Sequence, residues 1–102
     1  MDRRWSRRVL IKRDVSIYHC SLGLLRGCLH NLSYGGALIV SGEVMVPCRS
    51  SVELVFSDID KQNPPLKISA CAVHTESRGN GFMFSDYNTQ VFRFLQALMS
   101  GA

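Results

Sequence analysis

Apolar and polar residues alternate along most of this chain. From Val9 to Tyr18 the second half places Val15, Ile17 and His19 on one face and Asp14, Ser16 and Tyr18 on the other, which is strand periodicity. Ser21-Leu22-Gly23 reads as a turn. Leu24 to His30 reads as the returning strand, with Leu25, Gly27 and Leu29 opposite Leu24, Arg26, Cys28 and His30. Ala37–Val40 is a short apolar strand between Gly36 and Ser41-Gly42. Glu43 to Ser51 carries Pro47 and predicts a loop or edge segment. Val52–Phe56 alternates cleanly. Ser57 to Pro65 is too polar and Pro-rich to be regular. Leu66 to His74 then sets Leu66, Ile68, Ala70, Ala72 and His74 on one face. Glu76–Asn80 predicts a turn, with Arg78 on its surface, and Gly81–Phe84 the last strand.

The period changes after Phe84. Ser85-Asp86-Tyr87-Asn88 offers several helix N-caps, and Val91, Phe92, Leu95, Leu98 and Met99 follow at the spacing of one helix face. Gly101 is placed to end that helix. About six short strands and one terminal helix predict a sandwich or barrel with the helix packed on one face or plugging one end. The chain has 102 residues, which suits one small core.

Composition narrows the class. Charged residues are 20% of the chain, ordinary for a globular domain. No apolar run approaches the ~20 residues of a membrane span, and no signal-peptide pattern is present, so the expected location is the cytoplasm. Of the cysteines Cys20, Cys28, Cys48 and Cys71, three lie in apolar strand-like runs, where cysteine behaves as a small hydrophobe. None form C-x-x-C, so neither a metal site nor a disulfide framework is expected.

The net charge is +4, but Arg3, Arg4, Arg7, Arg8, Lys12 and Arg13 concentrate half of the 12 basic side chains near the N-terminus. That predicts a local anion site. Residues 1–8 are too polar to bury and are expected to form a mobile arm, with Trp5 able to stack on a ligand or dock on the barrel. A second polar stretch, Asn31-Leu32-Ser33-Tyr34-Gly35-Gly36, lies between two apolar runs and reads as a turn with anion-friendly chemistry: a carboxamide, a hydroxyl and backbone N–H groups near glycine, which allows positive φ. Arginine forks match phosphate oxygens and the O6/N7 edge of guanine. Together the two stretches suggest a site for a guanine ligand bearing phosphate.

An R-x-x-x-R pair followed about two dozen residues later by (D/N)-x-S-x-x-G resembles the signature of PilZ domains. Here the second motif is Asn31-x-Ser33-x-x-Gly36. The first is met by Arg3…Arg7 or by Arg4…Arg8, and Arg3…Arg7 is favoured because it puts Trp5 where the family often has an aromatic. The resemblance implies a six-stranded antiparallel β-barrel over residues 9–102 with one C-terminal helix, preceded by the arginine arm at 1–8. It implies a non-catalytic receptor for cyclic di-GMP, with no cofactor and no metal. Arg3, Arg4, Arg7 and Arg8 would grip guanine edges and phosphates. Asn31 and Ser33 would hydrogen-bond the nucleotide, and Gly35 and Gly36 would leave room and hold the turn.

Other classes fit less well. His19, His30 and His74 are the residues of a type suited to acid–base catalysis, but no nucleophile motif or carboxylate pair accompanies them; His19 and His74 fall on apolar strand faces, and His30 precedes the turn. A barrel binding RNA or single-stranded DNA would want basic residues interleaved with aromatics, and only Trp5 is so placed, so nucleic acid is not the expected partner. A PilZ-like module acting through protein contacts alone, without nucleotide, is the main alternative. A domain of this size carries no output module, so an unidentified protein partner is expected to read it, unless the chain is one piece of a longer protein.

Overall fold

Two of the three register shifts in the barrel decide which side chains face out. The computed structural model describes residues 8–42, 45–57, 65–76 and 79–100. Six strands form it: β1 (Val9–His19), β2 (Gly23–Leu32), β3 (Gly36–Val40), β4 (Ser51–Phe56), β5 (Leu66–Glu76) and β6 (Gly79–Phe84), followed by helix α1 (Thr89–Ser100). They close in the order β1-β2-β3-β6-β5-β4, every pair antiparallel, with β4 returning to β1. The expected six-stranded antiparallel barrel with a C-terminal helix is therefore what the chain forms. Each described strand has a paired neighbour on both sides over part of its length.

The core follows the alternation. Val15 and Ile17 from β1, Val52, Leu54 and Phe56 from β4, and Ile68, Ala70 and Ala72 from β5 point inward and are buried. Helix α1 starts where Asn88 accepts a hydrogen bond from the Val91 N–H through Oδ1 at 2.9 Å, satisfying one of the orphan donors of the first turn. Val91 and Leu95 are buried, and Phe94, Leu98 and Met99 pack against the core. Phe94 meets Phe56 with ring centroids 5.5 Å apart. The helix thus caps the barrel end where β4 and β6 finish.

The segment 45–50 is not a strand, as Pro47 suggested, yet Val46 is completely buried. The buried Asn80 carboxamide grips its backbone: Nδ2 donates to the Val46 carbonyl at 2.7 Å, and the Val46 N–H donates to Oδ1 at 2.9 Å. The expected turn at Glu76–Asn80 is shorter than predicted, because β5 includes Glu76 and β6 begins at Gly79. Gly79 must be glycine because a Cβ would overlap the Ile39 carbonyl of the neighbouring strand.

Alternation fails in two places. In β2 the pairing with β3 passes from Leu29↔Ile39 to Asn31↔Leu38, so His30 is an extra residue. Leu29 and Leu32 both face the core, and Asn31 faces outward. In β5 the pairing with β6 passes from Ala72↔Phe82 to His74↔Gly81, so Val73 is extra. His74 is therefore exposed, not on the apolar face that strict alternation assigns it. A bulge re-aims the side chains beyond it, which no period-2 reading anticipates.

Candidate functional site

The Asn31–Gly36 stretch divides between two elements. Asn31 and Leu32 are the last residues of β2, and Gly36 is the first of β3, so only Ser33, Tyr34 and Gly35 make the turn. Ser33 is buried, and its hydroxyl is consumed locally. Its Oγ accepts the N–H groups of Gly35 at 3.3 Å and Gly36 at 3.2 Å and donates to the Gly36 carbonyl at 3.3 Å, while the Ser33 N–H donates to the same carbonyl at 2.8 Å. Serine is short enough to close such a turn on its own backbone.

The glycine of the motif is required for a reason the sequence did not suggest. Among the described glycines only Gly23 and Gly42 have positive φ, 76° and 78°. A Cβ on Gly36 would instead overlap the Phe82 carbonyl of β6. Gly36 lets β3 and β6 approach, and Gly35 helps, since its carbonyl accepts the Phe84 N–H at 3.0 Å.

Arg8 is exposed and leads into β1. Its Nη1 donates to Asn31 Oδ1 at 2.6 Å, joining residues 23 positions apart. The Asn31 carboxamide also carries an NH2 with two donors. Arg3, Arg4, Trp5 and Arg7 lie outside the described residues, as does all of the arm before Arg8.

Asn31 sits in a row of cross-strand partners on the outer face. The register runs Leu10↔Asn31, Asn31↔Leu38, Leu38↔Gly81 and Gly81↔His74, from β1 through β2, β3 and β6 to β5. Leu10 is 81% exposed and Leu38 is half-buried. A Cβ on Gly81 would overlap the His74 imidazole, so the ring covers Gly81. Leu38 and His74, with Gly81 beneath its ring, join the surface that Arg8 and Asn31 mark. No local motif could have revealed them, because only sheet register puts them side by side.

Other basic and polar residues have structural roles. Arg13 donates to the Ser57 carbonyl and lies over the Phe94 ring, 5.9 Å from its centroid, so it belongs to the helix packing and not to the Arg8 surface. His19 Nδ1 accepts the N–H groups of Ser21 at 3.0 Å and Leu22 at 3.1 Å, which makes it a turn former. All four cysteines are free. Cys28 and Cys71 are half-buried in strands, but Cys20 is exposed beyond β1, so two rather than three occupy the small-hydrophobe role; Cys48 is also exposed. Among the described residues no group of three or more His, Cys, Asp or Glu could hold a metal ion, and no helix is long and apolar enough to cross a membrane. Two surface grooves, one lined by Tyr18, Glu53, Val55, Pro65 and Lys67 and the other by residues including Asp14, Ser16 and Arg26, contain none of the motif residues.

Tyr34 turns toward the helix. Its ring stacks on Phe92, with centroids 5.0 Å apart and planes 17° from parallel, and Tyr87 meets Phe92 edge-on at 6.3 Å. Burial, and then the neighbouring Tyr34 phenol, push the Tyr87 phenol above its ordinary value near 10.

Comparison with known proteins agrees with this architecture. No protein-family model matches the sequence, and no curated protein does. Solved structures match closely in fold. The PilZ domain of CeSA from a cellulose-synthesizing bacterium superposes with a TM-score of 0.71 at 19% identity, over 93% of this chain and 96% of that one. The Bacillus subtilis inhibitor of motility (MotI/DgrA) gives 0.70 at 18% identity over 92% of this chain. The Borreliella burgdorferi PlzA protein, solved in complex with c-di-GMP, gives 0.70 at 15% identity over 91%. This chain spans 46% and 39% of the lengths of those last two. The fold is that of a PilZ-like domain.

Proposed function

We propose that this domain is a non-catalytic receptor for cyclic di-GMP, binding it on the outer face of the barrel where Arg8 meets Asn31. The observation that carries the reading is that bond: it joins the arginine motif to the Asn-x-Ser-x-x-Gly motif across the β1–β2 register. The PilZ-like fold, and the cyclic di-GMP complex of one structure that shares it, support the same ligand.

The contact between Arg8 and Asn31 favours Arg4…Arg8 over Arg3…Arg7 as the working register. In this reading the guanidinium groups of Arg4 and Arg8 take guanine edges and phosphates, and Asn31 hydrogen-bonds the nucleotide. Ser33, saturated by its own turn, acts by holding Asn31 and the Gly35–Gly36 backbone in place. Micromolar affinity needs ~8 kcal/mol, and charge-assisted hydrogen bonds contribute ~1.5–3 kcal/mol each, so a few of them with base stacking suffice. The bound arm would take a fixed position, which a protein partner in the cytoplasm reads; this is signalling by an order change, without catalysis.

Isothermal titration with cyclic di-GMP, with GTP and a short RNA as controls, tests the reading. Saturable binding at micromolar or tighter affinity, selective over both controls, is the expected result. A folded protein that gives no heat is instead a protein-contact module. Preference for the RNA with a steep salt dependence makes it a nucleic-acid binder. Amide exchange over residues 1–10 should slow on ligand addition; unchanged exchange overturns the arm mechanism.

A further inference from the structure

The row that begins at Asn31 ends at His74, and both ends are aimed by bulges. His30 is the extra residue in β2 and Val73 the extra residue in β5. Without the first, Asn31 would point into the core; without the second, His74 would. Bulges that turn two polar side chains onto one outer face, at opposite ends of one cross-strand row, are features with a use, since each disrupts a ladder locally.

The residues between them form a floor. Leu38 offers a half-buried aliphatic surface, and Gly81, with no side chain of its own, is buried beneath the His74 ring. The His74 ring occupies the space a Gly81 side chain would take, so it is folded down on the sheet. Three strand spacings, about 14 Å, separate the Asn31 and His74 backbones. Arg8 and Asn31 mark the polar end, and an apolar floor with an exposed aromatic ring marks the other.

The geometry points to a purine subsite here: one base of the bound dinucleotide rests on Leu38 and stacks on the outer face of the His74 imidazole, which itself lies on Gly81. This rests on the receptor reading above and adds the residues that would hold the base away from the arginines. An aromatic ring stacks on any purine, so His74 contributes affinity, while Arg8 and Asn31 read the base edge and phosphates. Gly81 is the positioning residue, because any side chain there would displace the imidazole.

Titration of cyclic di-GMP into the full chain and its variants decides the matter. Replacing His74→Ala should weaken binding about 5-fold or more, the effect of losing one stacking ring. His74→Phe, which keeps a ring over Gly81, should bind within about 2-fold of the parent. Gly81→Ala should weaken binding as His74→Ala does, and adding it to His74→Ala should bring little further loss, because the two act through one ring. Circular dichroism confirms that each variant is folded, and a Gly81→Ala variant that fails to fold leaves the His74 pair to decide. If the parent binds and His74→Ala binds equally well, or if His74→Phe is as weak as His74→Ala, the subsite is wrong and the receptor reading stands. If the parent binds no cyclic di-GMP, both fall.

Discussion

The Tyr34 ring lies flat on the Phe92 ring, 5.0 Å centroid to centroid, and so ties the turn of the candidate site to the helix that caps the barrel. Phe92 is 38% exposed, and the pair contributes mainly through ring contact. Phe92→Ala is expected to lower unfolding stability by about 1 kcal/mol, within the range for aromatic pairs. Leu95→Ala, at a fully buried position of the same helix, should lower it by about 2–5 kcal/mol. Urea unfolding measures both. Equal losses would mean that the stack, and not the buried face, holds the helix.

The Tyr87 phenol provides a pH test of the same cluster. Burial and Tyr34 raise its folded pKa above the unfolded value near 10. A raised pKa means that the neutral form is favoured by folding. The associated stability is complete below pH 10 and is lost as pH rises through the folded pKa. Phenolate absorbance should therefore show one tyrosine titrating late, and Tyr87→Phe should remove that component. Tyr34→Phe should move it back toward 10; if it does not, burial alone is responsible.

Asn80→Ala would leave the buried Val46 N–H and carbonyl without partners. A loss of about 2–4 kcal/mol is expected for two such groups, read as a shift in denaturation midpoint. A change under about 0.5 kcal/mol would show that the 45–50 segment can peel off and find water without disturbing the barrel.

Gly36→Ala forces a methyl group against the Phe82 carbonyl. Overpacking against backbone is expected to destabilise the domain by about 1–3 kcal/mol or more. Ligand affinity should fall as well, since β3 and the turn must shift. Unchanged thermal stability would mean that the strands part easily and that this glycine serves the ligand alone.

Arginine register is separable by single substitutions. Arg8→Ala should weaken cyclic di-GMP binding by ~2 kcal/mol, about 30-fold, the scale of a charged hydrogen bond. Arg7→Ala should change it only a few-fold. The opposite order, in calorimetric titration, would return the site to Arg3…Arg7.

Much of the fold was legible from local pattern. Val15 and Ile17, Leu54 and Phe56, and Ile68 and Ala70 alternate because one face of each strand is buried, and the helix at 89–100 announces itself by its spacing and its Asn88 cap. Phe94 flanks the stripe that the spacing marks as the buried face, and it packs against the core through its contact with Phe56. Within the candidate site, the Asn31 and Ser33 positions were legible as a motif. Ser33 proved to serve its own turn, and the room at Gly36 proved to be for β6.

Sequence alone therefore determined what depends on neighbours in the chain: strand periodicity, turn chemistry, the cap, and the clustering of arginines before residue 14. Tertiary structure decided what depends on register. Each bulge shifts the pairing by one residue, and one residue reverses the face of every side chain beyond it. That is why Asn31 reaches Arg8, and why His74 lies on Gly81 instead of in the core. Such outcomes are set by how six strands close on one another, and no stretch of the chain contains that closure by itself.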